Sequence, residues 1–188
     1  MGNSGVFQMK QKTCKSCKQL FTPFQMGQKV CCGDCALALA ISERGKAEKV
    51  AKVKERRADK EKLKTRADWM REAQAAFNAF IRARDDDLPC ISCGRHHTGQ
   101  YHAGHYLSVG ARPELRFDER NVHKQCSPCN NYLSGNAVLY RVALIDKIGT
   151  ASVEFLEGPH EPKKYTIDEL KEIKGYYRSL EKELRAIE

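Results

Sequence analysis

Residues 90–136 read CISCGRHHTGQYHAGHYLSVGARPELRFDERNVHKQCSPCNNYLSGN, and this stretch decides the fold. The pairs Cys90-x2-Cys93 and Cys126-x2-Cys129 bracket it. Between them lie His102-Ala-Gly-His105-Tyr106 and Asn121-Val-His123, and Asn130-Asn131 follow at once. Five of the six histidines fall here, in a segment without helical periodicity at its start. Two CxxC knuckles at this separation are the spacing of a four-thiolate zinc site, which gives a short, loop-rich segment the folding free energy that its small core lacks. A second set stands near the N-terminus: Cys14-x2-Cys17, then Cys31, Cys32 and Cys35, with Cys31 and Cys32 competing for one ligand position.

Outward from this stretch the chain is simpler. It has 188 residues with 33 Lys/Arg against 24 Asp/Glu, a net charge of +9, which suits a polyanionic partner. No run approaches the ~18 apolar residues of a membrane span. The opening MGNSGVFQMK lacks the basic-then-apolar pattern of a secretory signal, so a cytoplasmic protein with no membrane partner is expected. Nine cysteines in a reducing compartment then favour metal over disulfides.

After the first knuckles, the apolar run Ala36–Ile41 starts a helix. From Arg44 to Arg66, eleven Lys/Arg against four Asp/Glu place +7 of the charge in 23 residues of good helix formers. Val50, Val53 and Leu63 are too few to fix such a helix to a core, so an exposed arm is expected, with Lys49, Lys52, Lys54, Arg56, Arg57 and Lys60 facing the phosphates of DNA or simply water. From Asp68, Trp69, Ala73, Phe77, Phe80 and Ile81 recur at three- and four-residue steps and predict a docked amphipathic helix. The run Asp85-Asp86-Asp87-Leu88-Pro89 reads as its solvated end. Val138 to Ile148 predicts a short helix ended by Gly149, and TASVEFLEG (150–158) a strand. Thr166-x-x-Glu169 is a capping box opening a final helix with Ile167, Leu170, Ile173, Tyr177, Leu180 and Leu184 on one face.

The order knuckle, histidine, asparagine, knuckle, asparagine resembles the HNH endonucleases of the ββα-metal type, in the variant where asparagine replaces the last histidine and a four-cysteine zinc staples the motif. The resemblance implies a β-hairpin carrying the first histidine and a helix near the second cysteine pair carrying the last metal ligand. The chemistry suits those residue types. Phosphodiester hydrolysis needs a base near neutrality, which imidazole supplies, and a hard cation such as Mg2+ or Mn2+, which an amide oxygen accepts. His105 is then the general base, Asn121 holds its loop or ring in place, and Asn130 ligates the catalytic ion. The position before the base, where this class often has a ligand, is Gly104; His102 is the substitute, with Asp118 and His123 as other candidates. His96 and His97 read as surface or phosphate-contacting residues. Arg95, Arg112, Arg116, Arg120 and Lys124 around the site read as sequence-blind DNA contacts.

The blocks FNAFIRARD, PCISCGR, HAGHYLSVG, LRFDERNVHKQC and CNNYLSGN, with KTCKSCKQLFTP and VCCGDCALA, resemble the lambda-type NinG/Rap recombination proteins over nearly the whole chain. That resemblance makes Cys31 and Cys35 the second N-terminal pair and Cys32 the spare. It implies a phage recombination protein that nicks branched DNA such as D-loops and Holliday junctions, works with phage or host recombination proteins, and resides in the host cytoplasm. Symmetric resolution of a junction would want two active sites, hence a homodimer. The expected fold class is α+β: a small N-terminal zinc-knuckle module (1–42), a basic helical arm (43–67), and a zinc-stapled ββα-metal (HNH-like) nuclease core with flanking helices (68–188). The rival reading is a non-catalytic double-zinc module that only binds DNA or a partner, or a less selective nicking enzyme.

Overall fold

The computed structural model describes residues 10–186; the opening residues, on which the expectation of no secretory signal rests, lie outside them. The chain divides into two compact units, one ending at Leu63 and one beginning at Lys64. No helix among the described residues is long and apolar enough to cross a membrane.

The first unit opens with a two-rung antiparallel ribbon, β1 (Lys12–Thr13) and β2 (Leu20–Phe21). The knuckle between them turns through Lys18 at φ 65°. From there α1 (Gly33–Lys62) runs 30 residues, about 45 Å at 1.5 Å per residue, and buries none of them. It carries both the apolar run after Cys35 and the basic segment, so the expected boundary at 42/43 falls inside one continuous helix.

The second unit begins with α2 (Arg66–Arg84). Thr65 and Asp68 form a reciprocal capping box at its start, and Trp69, Ala73, Ala76, Phe77, Phe80 and Ile81 are buried. Its partner is α5 (Ile167–Leu184), started by the Thr166/Glu169 box. Phe77 meets Tyr177 and Phe117 edge-on at 4.8 and 5.6 Å. Leu170 and Tyr177 are buried on α5, whereas Ile167, expected on that face, is exposed. Against this pair lies an antiparallel hairpin, β3 (Tyr101–His105) and β4 (Val122–Cys126), in register from Tyr101↔Cys126 to His105↔Val122. Val122 and Ala103 pack on the α2–α5 core.

The segment after β4 is a five-residue π-helix, Pro128–Tyr132, followed by α3 (Ala137–Ile148). Residues 150–157, expected as a strand, form α4 (Thr150–Glu157). Val153 and Leu156, three apart, are both buried with Tyr140 and Leu144 of α3, while Phe155 is half-exposed. The buried pair thus has helical spacing, and a glycine at each end closes a helix too short to show a second apolar repeat.

Asp85 corrects the solvated-turn expectation. It is buried, accepts from Arg84 Nε and Nη2 at 2.9 Å and from the Lys124 amide at 3.0 Å, and lies 3.5 Å from Lys147 Nζ. Burial alone would raise its pKa, but the Arg84 hydrogen bonds and charge hold it below the usual range. One carboxylate thereby ties the end of α2 to β4 and α3.

Candidate nuclease and metal site

Two four-cysteine clusters are present. The Sγ atoms of Cys14, Cys17, Cys31 and Cys35 lie within 4.8 Å of one another, and so do those of Cys90, Cys93, Cys126 and Cys129. Cys17–Cys31 is 3.6 Å, Cys31–Cys35 3.5 Å and Cys93–Cys126 4.0 Å. A tetrahedron of thiolates about 2.3 Å from zinc has edges of about 3.8 Å, whereas a disulfide would bring sulfurs to about 2 Å. Both clusters could therefore hold zinc. Cys32 lies 3.8 Å from Cys31 but is exposed and outside the set of four. In each cluster one thiol titrates early. Burial opposes it, but backbone amides draw Cys14 down to about 6, and a hydrogen bond with His97 and the Arg95 amide do the same for Cys93. His97 is thus no free surface group: its Nε2 lies 3.3 Å from Cys93 Sγ, and its amide donates to the Tyr101 hydroxyl at 2.6 Å. Nothing in the sequence separates it from exposed His96.

The hairpin ends at His105, whose half-buried ring has Nε2 3.0 Å from the Arg116 carbonyl. A carbonyl only accepts, so Nε2 carries the proton and Nδ1 keeps a lone pair. Burial lowers the His105 pKa, the nearby Arg116 charge acts in the same sense, and the Arg116 carbonyl partly opposes them; the ring is neutral at pH 7. Asn121 is fully buried beside it. Its Oδ1 accepts from the Leu107 amide at 2.9 Å, and its Nδ2 donates to the carbonyls of Leu107 and Leu115 at 3.0 and 3.2 Å. It fixes the turn that leaves the hairpin and the segment that returns to it.

His102 lies three residues before His105 and so on the opposite face of β3. There its Nε2 is 3.4 Å from Asn131 Nδ2, which also donates to Ser127 Oγ at 3.0 Å. Asn130 Nδ2 donates to Asn131 Oδ1 at 2.7 Å. The residues brought together are thus His102, Asn131 and Asn130; no hydrogen bond joins His105 to Asn130. The other two ligand candidates fall away. His123 is buried, its Nδ1 3.3 Å from the Tyr140 hydroxyl, and burial followed by the charges of Lys147 and Arg84 takes its pKa to about 3. Asp118 caps the turn Glu119–Asn121 and pairs with Arg120 at 2.6 Å.

Packing explains why the position before His105 is Gly104. A Cβ there would meet Gln125 Oε1 at 2.2 Å and Gln125 Cβ at 2.9 Å. Gln125 is fully buried and its Nε2 is held by Ser92 Oγ at 2.6 Å and by the Gly135 carbonyl, so it has no room to retreat. Its Oε1 is the one buried side-chain polar atom without a partner among the described residues. We expect Gly104→Ala to destabilise the second unit by about 1–3 kcal/mol, and Gly104→Asp to do so without adding a ligand, both read by denaturant unfolding of zinc-loaded protein.

The expected DNA contacts divide into two groups. Lys49, Lys52, Lys54, Arg56, Arg57 and Lys60 are all exposed on α1. Those near the hairpin are engaged internally. Arg112 Nη2 donates to the Glu157 carbonyl at 3.1 Å, Arg116 Nη1 to Gln74 Oε1 at 3.1 Å, and Arg120 is paired with Asp118. Lys124 is buried, its Nζ 4.3 Å from the centre of the Tyr101 ring.

The fold and site define a two-unit α+β protein with two four-cysteine clusters, the second clamping a histidine-bearing hairpin. A family model described as Bacteriophage Lambda NinG protein matches residues 7–188. The protein called "Protein ninG" of Escherichia phage 933W is 45% identical over 192 residues, covering 93% of this chain and 94% of its own length. Those of Salmonella phage P22 and Escherichia phage lambda are each 44% identical over 194 residues, with the same shares covered. This chain belongs to the NinG family of lambdoid phages. No solved structure matches it.

Proposed function

We propose that this protein is a metal-dependent endonuclease of the ββα-metal (HNH) type that hydrolyses phosphodiesters in branched DNA, D-loops and Holliday junctions among them, with one structural zinc in each four-cysteine cluster. The observation that carries the reading is the Nδ1 of His105, which accepts no hydrogen bond among the described residues, on a half-buried ring whose other nitrogen is pinned by a backbone carbonyl. Nδ1 takes the proton of the attacking water, and the Arg116 carbonyl then stabilises the imidazolium, the sense in which it already shifts the ring. Asn121 is a positioning residue that holds the turn beside the base. Asn130 uses Nδ2 on Asn131, and among the described residues no hydrogen bond reaches its Oδ1, an amide oxygen suited to Mg2+ or Mn2+. Because Asn130 clusters with His102 and Asn131 and not with His105, the bound phosphate must bridge the base and the ion. When bound, such an ion supplies positive charge to the phosphate and the leaving oxygen.

Charge is divided between the units. Residues 1–63 hold fourteen Lys/Arg against six Asp/Glu, whereas residues 64–188 hold nineteen against eighteen. Attraction to the DNA backbone therefore comes from the first unit, where α1 exposes its basic side chains, and the second unit does chemistry. Replacing Lys49, Lys52, Arg56 and Lys60 by Gln is expected to weaken binding to all DNA forms alike. It should also flatten the dependence of log affinity on log salt by about 0.9 for each phosphate that is no longer neutralised, measured by fluorescence anisotropy. The reading as a whole is tested by incubating zinc-loaded protein and Mg2+ with a four-way junction, a D-loop, a fork, a linear duplex and a single strand at one ionic strength. Preferred cutting of the branched forms supports it, and no cutting of any form refutes it.

A further inference from the structure

We infer that Tyr132, with Leu133 beside it, is a stacking wedge that takes an unstacked base at the branch point of DNA; this rests on the nuclease reading and names how its substrate is told apart. Tyr132 is 82% exposed and Leu133 58%, two and three residues after Asn130. Their position is held firmly from behind. The Leu133 amide donates to the Pro128 carbonyl at 3.1 Å, Gly135 to the Cys129 carbonyl at 3.0 Å, and Asn136 to the Leu133 carbonyl at 2.8 Å. The Gly135 carbonyl accepts from Ser92 Oγ and Gln125 Nε2, both in the body of the second unit. Three successive residues are left-handed, Ser134 at φ 50°, Gly135 at 84° and Asn136 at 47°. Two of them are not glycine, a conformation that persists only where the surroundings over-determine it. The second four-cysteine cluster and the hairpin thus hold an aromatic ring out into water beside the His102–Asn131–Asn130 cluster.

The chemistry of the tip selects its ligand. Ser127 to Tyr140 contains no charged residue, in a chain that is 30% charged. Such a surface offers no charge to a phosphate but presents a π face to a base. Every base has one, so a ring of this kind stacks without reading sequence. In an intact duplex the bases are already stacked, whereas a branch point supplies one that is not. Discrimination between branched and linear DNA then lies in this ring, while α1 holds either form.

The test uses full-length zinc-loaded protein in the absence of Mg2+, with a four-way junction carrying 2-aminopurine at the branch and a linear duplex carrying it internally. Wild type is expected to quench the branch-point fluorophore and to bind the junction about tenfold or more tighter than the duplex. Tyr132→Ala should lose the quench and bring the two affinities together, and Tyr132→Phe should keep both. An Ala variant that keeps the junction preference overturns the inference. So does a wild type without that preference, or a loss accompanied by a drop in sedimentation mass, since the exposed Val138, Leu139 and Val142 would then belong with Tyr132 to an interface between two copies of the chain. Quenching by a wild type that never cuts DNA when Mg2+ is added would refute the hydrolytic reading and leave the wedge standing.

Discussion

His105→Ala is expected to lower the single-turnover rate of Mg2+-dependent junction cleavage by about 10^2 to 10^4, the range associated with removing a positioned general base. Binding and zinc content should stay unchanged. The fold is expected to survive because the ring is half-buried and makes a single hydrogen bond, to the Arg116 carbonyl, worth about 1 kcal/mol. Asn121→Ala behaves differently: it strips three backbone groups of their partner inside the protein, and its effect should appear in denaturant stability as well as in rate. Equal cleavage by His105→Ala and wild type would remove the mechanism and leave a zinc module that only binds.

Loss of the second cluster is expected to have the larger structural effect. Cys126 is buried at the end of β4, its amide donates to Cys90 Sγ at 3.3 Å, and the π-helix bearing Asn130 starts two residues later. Structural zinc contributes about 10–16 kcal/mol in small four-ligand modules. Cys126→Ser should therefore reduce zinc from two atoms per chain to one, abolish cleavage, and expose the β3 and β4 amides to hydrogen exchange. The α2–α5 pair, held by Phe77, Phe80 and Tyr177, should keep its protection. Cys32→Ser is the control: two zinc atoms and an unchanged melting temperature are expected, since Cys32 stands outside the set of four. Elemental analysis reads the zinc, hydrogen exchange the amides, the junction assay the cleavage, and thermal unfolding the control.

What the sequence disclosed were features with local rules. Cysteine spacing located both clusters, three- and four-residue apolar steps located α2 and α5, and the Thr166/Glu169 box marked where α5 begins. What it concealed depends on distant contacts. Asp85 looks like Asp86 and Asp87 until Lys124 and Lys147 are brought to it. Lys124 looks like a phosphate contact until its place on β4, a strand buried along its whole length, seats its ammonium over the Tyr101 ring. His102 stands close to His105 along the chain, yet a separation of three in a strand puts two side chains on opposite faces. Gly104 departs from the motif's pattern, and only the packing of Gln125 shows why no side chain fits there. Tyr132 carries no signal in the sequence because exposure is a property of the folded chain.

The most direct test of the account is the pH dependence of single-turnover junction cleavage at saturating Mg2+. Burial lowers the His105 pKa, so the neutral, reactive form persists below its ordinary value of 6.5 and is lost only as pH falls through the lowered value. A rate that is level near neutrality and falls on acidification through a single midpoint below 6.5, with that limb absent from the residual activity of His105→Ala, is the result predicted. A midpoint above 6.5, or the same limb in the variant, would contradict it.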